Sequence, residues 1–429
     1  MAETLLADVA VVGAGPGGVA AACRAAESGA RVVLVDEGLA PGGQIYRHLP
    51  GEEPPAEARP WLARLWKSGT RVVTAGSVFD AERRGDGWRL RALKGEQVLL
   101  VRAGRLVLAT GARELFLPFP GWTLPGVIGA GAAQALVKSG AEFRGRTVVV
   151  AGTGPLLLAT AAGLAGAGAR IAAVAEQAPA ASLARFAASL LPSPAKLLEG
   201  ARYRLAFAGA PYRTGAWVRA AEGDGRVTRA LLTDGAREHE VTCDLLCTGF
   251  GLVPNLELPR LIGCAVSGLG VEANGRQETS VPGVFAAGEI CGIAGAEVAL
   301  AEGEIAGLAS ADALGAADPA TRKLFGARER ARRFGARMAG AFRLRPEVLR
   351  LAAPDTIVCR CEDVPLSHVV EARTTREAKL HARAGMGPCQ GRVCFAALEA
   401  LRGLAPDTVR PPLVPVPVEA LAAEEEESP

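Results

Sequence analysis

Four cysteines in the last quarter of the sequence have the spacing of ligands for a metal ion or a cluster. They are Cys359, Cys361, Cys389 and Cys394, in the pattern C-x-C-x27-C-x4-C. Four thiolates can hold either Zn²⁺ or an iron–sulfur cluster. Paired ligands of a structural zinc usually have spacers of about two to four residues, so C-x-C is tight for zinc. It suits two sulfurs that reach one iron of a [2Fe-2S] cluster.

Three glycines lie around Cys389, where they could adjust the potential of a cluster. Gly385, Gly387 and Gly391 lie close to this cysteine in the sequence. Glycines let backbone N–H groups turn toward cluster sulfurs, and such hydrogen bonds raise the reduction potential. We therefore predict a [2Fe-2S] site, with zinc and unligated thiols as the alternatives.

A glycine-rich turn near the start of the chain predicts a nucleotide site. Gly13, Gly15 and Gly18 form G-x-G-x-x-G between a predicted strand and a predicted helix. The first glycine allows a tight turn, the second lets a pyrophosphate approach the backbone, and the third lets helix and strand pack closely. Asp36, at the end of the next predicted strand, is placed to accept a hydrogen bond from a ribose hydroxyl.

Three further segments make this turn more specific. They are "PGGQ" at residues 41–44, "ATG" at 109–111 and "GVFAAGEI" at 283–290. Together with the glycine turn, they resemble the two-dinucleotide-domain flavoproteins of the glutathione reductase type over roughly residues 6–310. The resemblance implies that the first nucleotide-binding domain holds FAD.

The same resemblance implies which residues contact FAD. In that family the position of Glu289 is usually an Asp that hydrogen-bonds the ribityl chain, and Glu keeps the carboxylate while adding a methylene. The expected FAD contacts are Gly13, Gly15, Pro16, Gly18, Asp36, Glu37, Gly43, Gln44, Val78, Thr110, Gly111, Gly288 and Glu289.

A second glycine turn, "VVVAGTGPLLLA", is less complete. It supplies Gly152 and Gly154, but Leu157 stands where the third glycine is expected. A leucine there should hold helix and strand further apart, so that a pyrophosphate binds differently or weakly.

The acidic residue of the second turn is also displaced. With the two turns aligned, Ala175 stands opposite Asp36, and Glu176 follows on the other strand face. No arginine closely follows Ala175, which disfavours NADP. We predict that Gly152 and Gly154 contact an adenine nucleotide, either NAD or non-redox ATP or ADP, with a vestigial domain as the alternative.

The remaining cysteines and the histidines form no recognisable catalytic pair. A disulfide reductase of this fold needs a nearby cysteine pair such as C-x-x-C or C-x4-C beside its flavin. Cys243 and Cys247 are best interpreted as buried structural thiols. We therefore predict no catalytic residue on this chain and expect substrate chemistry on another polypeptide. The other residues considered are Cys23, Cys264, Cys291, His48, His239, His368 and His381.

The order of predicted elements defines an α/β fold with two Rossmann-like domains, the second inserted in the first, and a small helical C-terminal [2Fe-2S] domain. The opening βαβ unit is predicted at residues 8–12, 16–28 and 31–35. The predicted domains are 1–120 with 250–315 (FAD), 121–249 (inserted), 316–350 (helical linker), 351–408 ([2Fe-2S]) and 409–429 (a Pro-rich, then disordered acidic tail).

Two stretches could suggest a membrane, but each has a simpler interpretation. Residues 147–169 carry no charge, yet Gly152, Gly154 and Pro155 predict a strand, a turn and a helix instead of a span. Residues 321–342 have apolar residues at helical spacing with arginines on the other faces, which predicts a solvated bridging helix. We expect no transmembrane segment.

Charge and the leading residues limit the possible partners. The chain has 48 basic and 45 acidic residues, a formal net charge of +3, so nucleic acid is not an expected partner. The first residues are acidic and lead straight into a strand, so no export signal is expected. The predicted location is the cytoplasm, with peripheral association at the inner face of the membrane as the alternative.

The cysteine segment has a family resemblance of its own. Residues 355–405 resemble [2Fe-2S] domains of the bacterioferritin-associated-ferredoxin type, although those usually end in C-x2-C instead of C-x4-C. "CRCEDV" and "RAGMGPCQGRVC" after a two-domain flavoprotein resemble the larger subunit of bacterial opine oxidases, hydroxyproline and proline dehydrogenases and cyanide-forming glycine dehydrogenase.

That resemblance implies an electron-transfer subunit of a hetero-oligomeric enzyme. A partner of the D-amino-acid-oxidase type would oxidise a secondary amine, opine or imino acid, and this chain would relay the electrons through FAD and [2Fe-2S]. Further expected components are an FMN at an interface between chains, a small ferredoxin-like subunit, and a respiratory or ferredoxin-type acceptor. The alternatives are a self-sufficient NAD(P)H-dependent reductase and a scaffold that a bound nucleotide holds together.

Overall fold

The structure is a computed structural model that describes residues 3–268, 270–315 and 319–423. Short 3₁₀ turns span Glu289–Cys291, Val348–Arg350 and Leu366–Val369. The strands are β1 (Glu3–Val12), β2 (Val32–Val35), β3 (Arg71–Val73), β4 (Gly76–Arg84), β5 (Gly87–Lys94), β6 (Gln97–Leu108), β7 (Ala112–Glu114), β8 (Val127–Gly129), β9 (Thr147–Gly152), β10 (Arg170–Glu176), β11 (Tyr212–Thr214), β12 (Trp217–Glu222), β13 (Arg229–Thr233), β14 (Glu238–Thr242), β15 (Leu245–Gly249), β16 (Leu252–Pro254), β17 (Val266–Ser267), β18 (Gly270–Val271), β19 (Val284–Ala286), β20 (Ile357–Cys359) and β21 (Val364–Pro365). The helices are α1 (Pro16–Glu27), α2 (Arg59–Lys67), α3 (Ala130–Lys138), α4 (Pro155–Gly166), α5 (Ala180–Ser189), α6 (Pro194–Ala206), α7 (Glu257–Leu261), α8 (Ala296–Ser310), α9 (Pro319–Ala341), α10 (Thr375–Ala382), α11 (Cys394–Arg402) and α12 (Val418–Ala422).

The chain divides into two compact units. The first unit comprises residues 1–113, 254–336 and 408–429, and the second comprises 114–253 and 337–407. The cysteine segment falls within the second unit. The finer domain boundaries given above remain predictions.

The first unit is built on a mixed sheet with the strand order β3-β2-β1-β6-β5-β4, in which β19 also pairs with β6. Strands β1, β2, β3, β6 and β19 are parallel, while β4, β5 and β6 form an antiparallel meander. Strand β2 is apolar and buried along its whole length, as expected for a strand covered on both faces. The carboxyl ends of the parallel strands therefore meet at one edge of the sheet, which positions the first glycine turn.

Helices α1 and α8 approach each other closely through small residues. A Cβ on Gly303 would lie 2.1 Å from the carbonyl oxygen of Gly17, and one on Gly307 would lie 2.3 Å from that of Ala21. Side chains larger than hydrogen cannot occupy those positions unless the helices separate. The contact fixes the first turns of α1, which contain the last residues of the G-x-G-x-x-G segment.

The C-terminal residues differ in part from the predicted extended, then disordered tail. The N–H of Leu413 donates to the carbonyl of Phe79 at 2.7 Å, and Ala420 of α12 is buried in a cluster with Phe79, Val98 and Leu100. Residues up to 423 therefore cover the β-meander of the first unit. The acidic run at 424–427 and the two residues after it lie outside the described residues.

The second unit contains a parallel sheet with the order β11-β10-β9-β15-β8 and an antiparallel meander β12-β13-β14. The uncharged stretch predicted as strand, turn and helix forms β9 and α4. Among the described helices, none combines the length and the apolar character needed to cross a bilayer.

The predicted outward orientation of the arginines on α9 is wrong in part. Its buried residues are Thr321, Arg328, Ala331 and Gly335. Arg328 is buried because it meets acceptors in the first unit: its guanidinium donates to the carbonyl of Gly275 at 2.8 Å and to Gln277 Oε1 at 3.2 Å.

Candidate functional site

The first glycine turn has the packing that its sequence predicts. Gly13 has φ of +102°, and a Cβ there would lie 2.2 Å from the carbonyl oxygen of Ala109. A Cβ on Gly18 would lie 1.7 Å from the carbonyl oxygen of Gly13. A Cβ on Gly15 would meet nothing within 4 Å. The turn is therefore closed on the strand side and open at Gly15, which leaves room for a phosphate to approach the backbone.

Asp36 follows β2 and is held against this turn. Its two carboxylate oxygens accept the N–H of Ala14 at 2.6 Å and the N–H of Gly38 at 2.7 Å. Each oxygen of a carboxylate can accept a second hydrogen bond, so a ribose hydroxyl can still donate to Asp36.

The other predicted FAD contacts lie on several segments of the first unit, and their role in binding FAD remains a prediction. A Cβ on Gly43 would lie 2.9 Å from the Cα of Gly15, so the "PGGQ" segment lies on the glycine turn. Thr110 Oγ1 donates to the carbonyl of Asn255 at 3.0 Å. Of the rest, Pro16 begins α1, Glu37 follows Asp36, Gln44 follows Gly43, Gly111 follows Thr110, Gly288 comes after β19, and Val78 lies inside β4.

The Glu289 side chain can accept hydrogen bonds but has no donor among the described residues. It directly follows Gly288 at the end of β19 and is partly buried. Burial raises the pKa of its carboxyl, and its side chain has no hydrogen-bond partner within the described residues. A carboxylate of this kind fits a hydroxyl-bearing ligand such as the ribityl chain of FAD.

The alignment that placed Ala175 opposite Asp36 is wrong. The register between β9 and β10 shifts between Ile171 and Ala173, so the pairing places Gly152 opposite Glu176. Glu176 accepts the N–H of Gly154 at 2.7 Å and that of Ala178 at 2.8 Å, much as Asp36 binds the first turn. A β-bulge adds one residue to a strand, which spacing alone does not reveal.

Leu157 is accommodated by a glycine on a neighbouring strand. Its side chain is fully buried, and a Cβ on Gly249 would lie 3.3 Å from its Cδ2. The end of β15 thus leaves room for the leucine that replaces the third glycine.

The second glycine turn is covered by residues of the same chain. Thr153 Oγ1 donates to the carbonyl of Phe342 at 3.1 Å, and Gln177 Nε2 donates to the carbonyl of Arg343 at 3.0 Å. The N–H of Arg345 donates to Gln177 Oε1 at 2.9 Å. Sequence reasoning missed this contact because its partners lie far apart in the chain. The polar groups beside Gly152 and Gly154 are therefore already bonded.

The buried Glu176 predicts a pH-dependent stability. Burial raises the pKa of its carboxyl from 4.5 to about 7. Between these values the unfolded chain binds fewer protons than the folded one, so the free energy of unfolding falls as pH rises from 4.5 to 7. Glu176→Gln should remove about 3 kcal/mol of this change. Urea unfolding at pH 5 and pH 7.5 measures the difference between wild type and variant.

The exposed Glu142 supplies the control for that experiment. Glu142→Gln should leave the wild-type slope intact, because Glu142 is exposed in both states. Burial also raises the pKa of Glu114, Glu289 and Glu302, and Tyr212 lies near Glu176, so only the change in slope on substitution is informative. An identical slope for Glu176→Gln and wild type would contradict the prediction.

The four cysteines of the sequence pattern line one cavity of about 140 Å³ in the second unit. Cys359 and Cys394 are buried, Cys389 is partly buried and Cys361 is exposed. The other lining residues are Phe116, Trp122, Arg360 and Val393. Trp122 is held in this wall by a hydrogen bond from Nε1 to the carbonyl of Ile357 at 2.6 Å. The fold thus collects thiols from two distant segments in an apolar pocket.

The thiols lie in two neighbouring pairs. Cys394 lies beside Cys359, and this proximity lowers the pKa of Cys359 to about 5 and raises that of Cys394. The N–H of Gly385 donates to Cys359 Sγ at 3.3 Å, and Cys361 lies beside Cys389. Among the described residues, no three His, Cys, Asp or Glu side chains are arranged so that they could hold a single metal ion. Two thiol pairs with a backbone N–H donor fit the ligand set of a two-iron cluster.

The fold and the first glycine turn together indicate which class of protein this is. A parallel sheet whose carboxyl edge carries a G-x-G-x-x-G turn, a strand-end carboxylate and a second glycine turn in another unit is typical of two-dinucleotide-domain flavoproteins. Comparison with known proteins agrees with this class. Residues 7–303 match the pyridine nucleotide-disulphide oxidoreductase family.

Individual relatives cover nearly the whole chain. Hydrogen cyanide synthase subunit HcnB of Pseudomonas aeruginosa is 33% identical, over 90% of each chain. An opine oxidase subunit of Rhizobium meliloti is 32% identical, over 95% of this chain and 97% of that protein. The crystal structure of L-proline dehydrogenase from P. horikoshii superposes with a TM-score of 0.69 at 19% identity, over 99% of this chain and 81% of that one, and supports the fold.

The chain belongs to the pyridine nucleotide-disulphide oxidoreductase family, within the group that includes this opine oxidase subunit together with hydrogen cyanide synthase subunit HcnB. It is therefore a flavin-dependent oxidoreductase, and its family implies FAD. The glycine turn, Asp36 and the unpartnered Glu289 fit that cofactor.

Proposed function

We propose that this chain is the flavin and iron–sulfur electron-transfer subunit of a multi-subunit dehydrogenase or oxidase. The observation that carries the proposal is the four-thiol cavity on a flavoprotein fold whose other five cysteines form no C-x-x-C or C-x4-C pair. Cys359, Cys361, Cys389 and Cys394 would ligate a [2Fe-2S] cluster. FAD accepts a pair of electrons, and a [2Fe-2S] cluster passes electrons singly, so one chain with both joins the two kinds of carrier.

The substrate step is assigned to a partner protein. Relatives named as subunits of opine oxidase and hydrogen cyanide synthase support a multi-subunit enzyme. We propose a D-amino-acid-oxidase-like flavoprotein as partner, with a secondary amine, opine or imino acid as substrate. An interfacial FMN, a small ferredoxin-like subunit, and a respiratory or ferredoxin-type acceptor complete the proposed complex, which we place in the cytoplasm or at the inner face of the membrane.

The contacts at the second glycine turn argue against a self-sufficient NAD(P)H reductase. Glu176 is fully buried, whereas Asp36 is partly exposed, and residues 342–345 already bond Thr153 and Gln177. A ribose hydroxyl would have to displace these bonds. The proposed function therefore takes its electrons from a partner and leaves Gly152 and Gly154 without a nicotinamide role.

An anaerobic titration tests the proposal. We expect NADH and NADPH to leave the flavin absorbance of the purified chain unchanged over minutes, and dithionite to reduce it fully. Amines and opines alone should also leave it unchanged, and addition of the partner flavoprotein should produce reduction within seconds. Rapid reduction by NADH would instead establish the reductase alternative, and turnover of an amine by the isolated chain would overturn the proposal.

A further inference from the structure

Helix α9 contacts the loop that carries Gly288 and Glu289 through an ion pair whose carboxyl is buried and whose guanidinium is partly exposed. Glu302 of α8 is only 2% exposed, and its Oε2 accepts the N–H of Gly288 at 2.9 Å. Its Oε1 accepts two hydrogen bonds from Arg332, at 2.7 Å from Nη2 and 3.1 Å from Nε. The carboxylate therefore links an α9 guanidinium to the backbone residue directly before Glu289.

A second contact from the same helix holds the other side of this loop. Arg328 donates to Gln277 Oε1 at 3.2 Å, and Gln277, which is fully buried, donates from Nε2 to the carbonyl of Ala286 at 2.7 Å. Ala286 ends β19, and Gly288 follows two residues later. The loop after β19 is thus fixed at the carbonyl of Ala286 and at the N–H of Gly288.

The backbone conformation of Gly288 makes its hydrogen bond to Glu302 important for the loop. Its φ of +84° is a conformation that few residues other than glycine adopt. The N–H is buried, and a buried donor that loses its acceptor leaves a costly unsatisfied group. The Gly288 carbonyl also accepts the N–H of Cys291 at 2.8 Å, and these two hydrogen bonds hold the backbone that directs the Glu289 side chain.

We propose that Arg332 and Glu302 are positioning residues that aim the Glu289 carboxylate at the flavin. The inference rests on the proposed role of Glu289 in FAD binding. Arg332 orients the Glu302 carboxyl through two hydrogen bonds, Glu302 holds the Gly288 N–H, and Glu289 then meets a ribityl hydroxyl. Glu289 itself makes no hydrogen bond to another described side chain that could orient it.

Arg332→Gln and Arg332→Lys test the proposal, with Arg330→Gln as the matched control. Arg330 lies on the same helix and is exposed. FAD affinity is measured by flavin fluorescence during reconstitution of the apoprotein, and the flavin midpoint potential by spectroelectrochemistry. We expect about a tenfold weaker FAD affinity and a shifted potential for Arg332→Gln. Arg332→Lys, which keeps the charge, should recover most of the loss, and Arg330→Gln should match wild type.

Glu302→Gln keeps the experiment decisive if Arg332→Gln folds poorly. Its amide oxygen can accept from Gly288, but its amide group then faces Arg332, so FAD affinity should again fall. Wild-type affinity and potential in both variants, with only a lower melting temperature, would overturn the proposal and leave the network purely structural. Neither readout depends on the electron donor or on the thiol cavity. A wild-type chain that bound no FAD would contradict the proposed function instead.

Discussion

A chain with Cys361→Ser is expected to purify with almost no iron while still binding FAD. Serine keeps the shape of the side chain but replaces the thiolate that a cluster iron requires. The four thiols belong to the second unit, whereas the predicted FAD contacts belong to the first. Loss of the cluster should therefore leave the flavin spectrum unchanged. Iron analysis, the visible spectrum and the paramagnetic signal of the reduced chain measure this outcome.

Two further variants sharpen the experiment. Cys359→Ser should have the same effect, because Cys359 lines the same cavity and is buried. Cys243→Ser is the control, because Cys243 is a buried thiol of the second unit that does not line the cavity. It should retain full iron. Iron content that is unchanged in Cys361→Ser and Cys359→Ser would disprove the cluster assignment, and bound zinc in its place would favour the structural alternative.

Gly303→Ala is expected to destabilise the protein and weaken FAD binding. Alanine in place of glycine within a helix normally raises stability by about 0.5–1 kcal/mol. Here the new Cβ would lie 2.1 Å from the carbonyl oxygen of Gly17, so α8 and α1 must separate. Overpacking of this kind costs about 1–3 kcal/mol. The first turn of α1 should move with Gly17, and with it the glycine turn that is predicted to bind the pyrophosphate.

The same substitution should change stability in the opposite direction at a glycine that has free space around it. Gly200 lies inside α6, and a Cβ there would meet nothing within 4 Å, so Gly200→Ala should stabilise the protein. Urea unfolding and FAD titration of both variants provide the comparison. A stabilised Gly303→Ala with normal FAD affinity would show that the two helices tolerate separation, contrary to the close contact described here.

Local patterns in the sequence predicted both candidate sites. Turn glycines such as Gly13 and Gly18 are required by neighbours a few residues or one strand away, and cysteine ligands follow short spacing rules. Such patterns predicted the glycine turn at the end of β1 and the four thiols, which the structure collects in one cavity. The assignment of FAD contacts and cluster ligands to these residues remains a prediction.

Register and long-range contacts were not predictable in this way. The bulge between Ile171 and Ala173 decides that Glu176, and not Ala175, meets the second turn. Arg328 lies in a helix whose apolar spacing predicted an outward arginine, yet it is buried against Gln277, which is 51 residues away in the chain.

The sequence by itself determined which groups are available for binding cofactors: a glycine turn typical of dinucleotide sites, a carboxylate at a strand end and four thiols. Only the tertiary structure decided which carboxylate contacts each glycine turn, that residues 342–345 cover the second turn, and that Arg332 is linked to the backbone of Gly288 through Glu302. The physical reason is that a buried polar group is stable only with partners, and folding supplies those partners from segments that are distant in sequence.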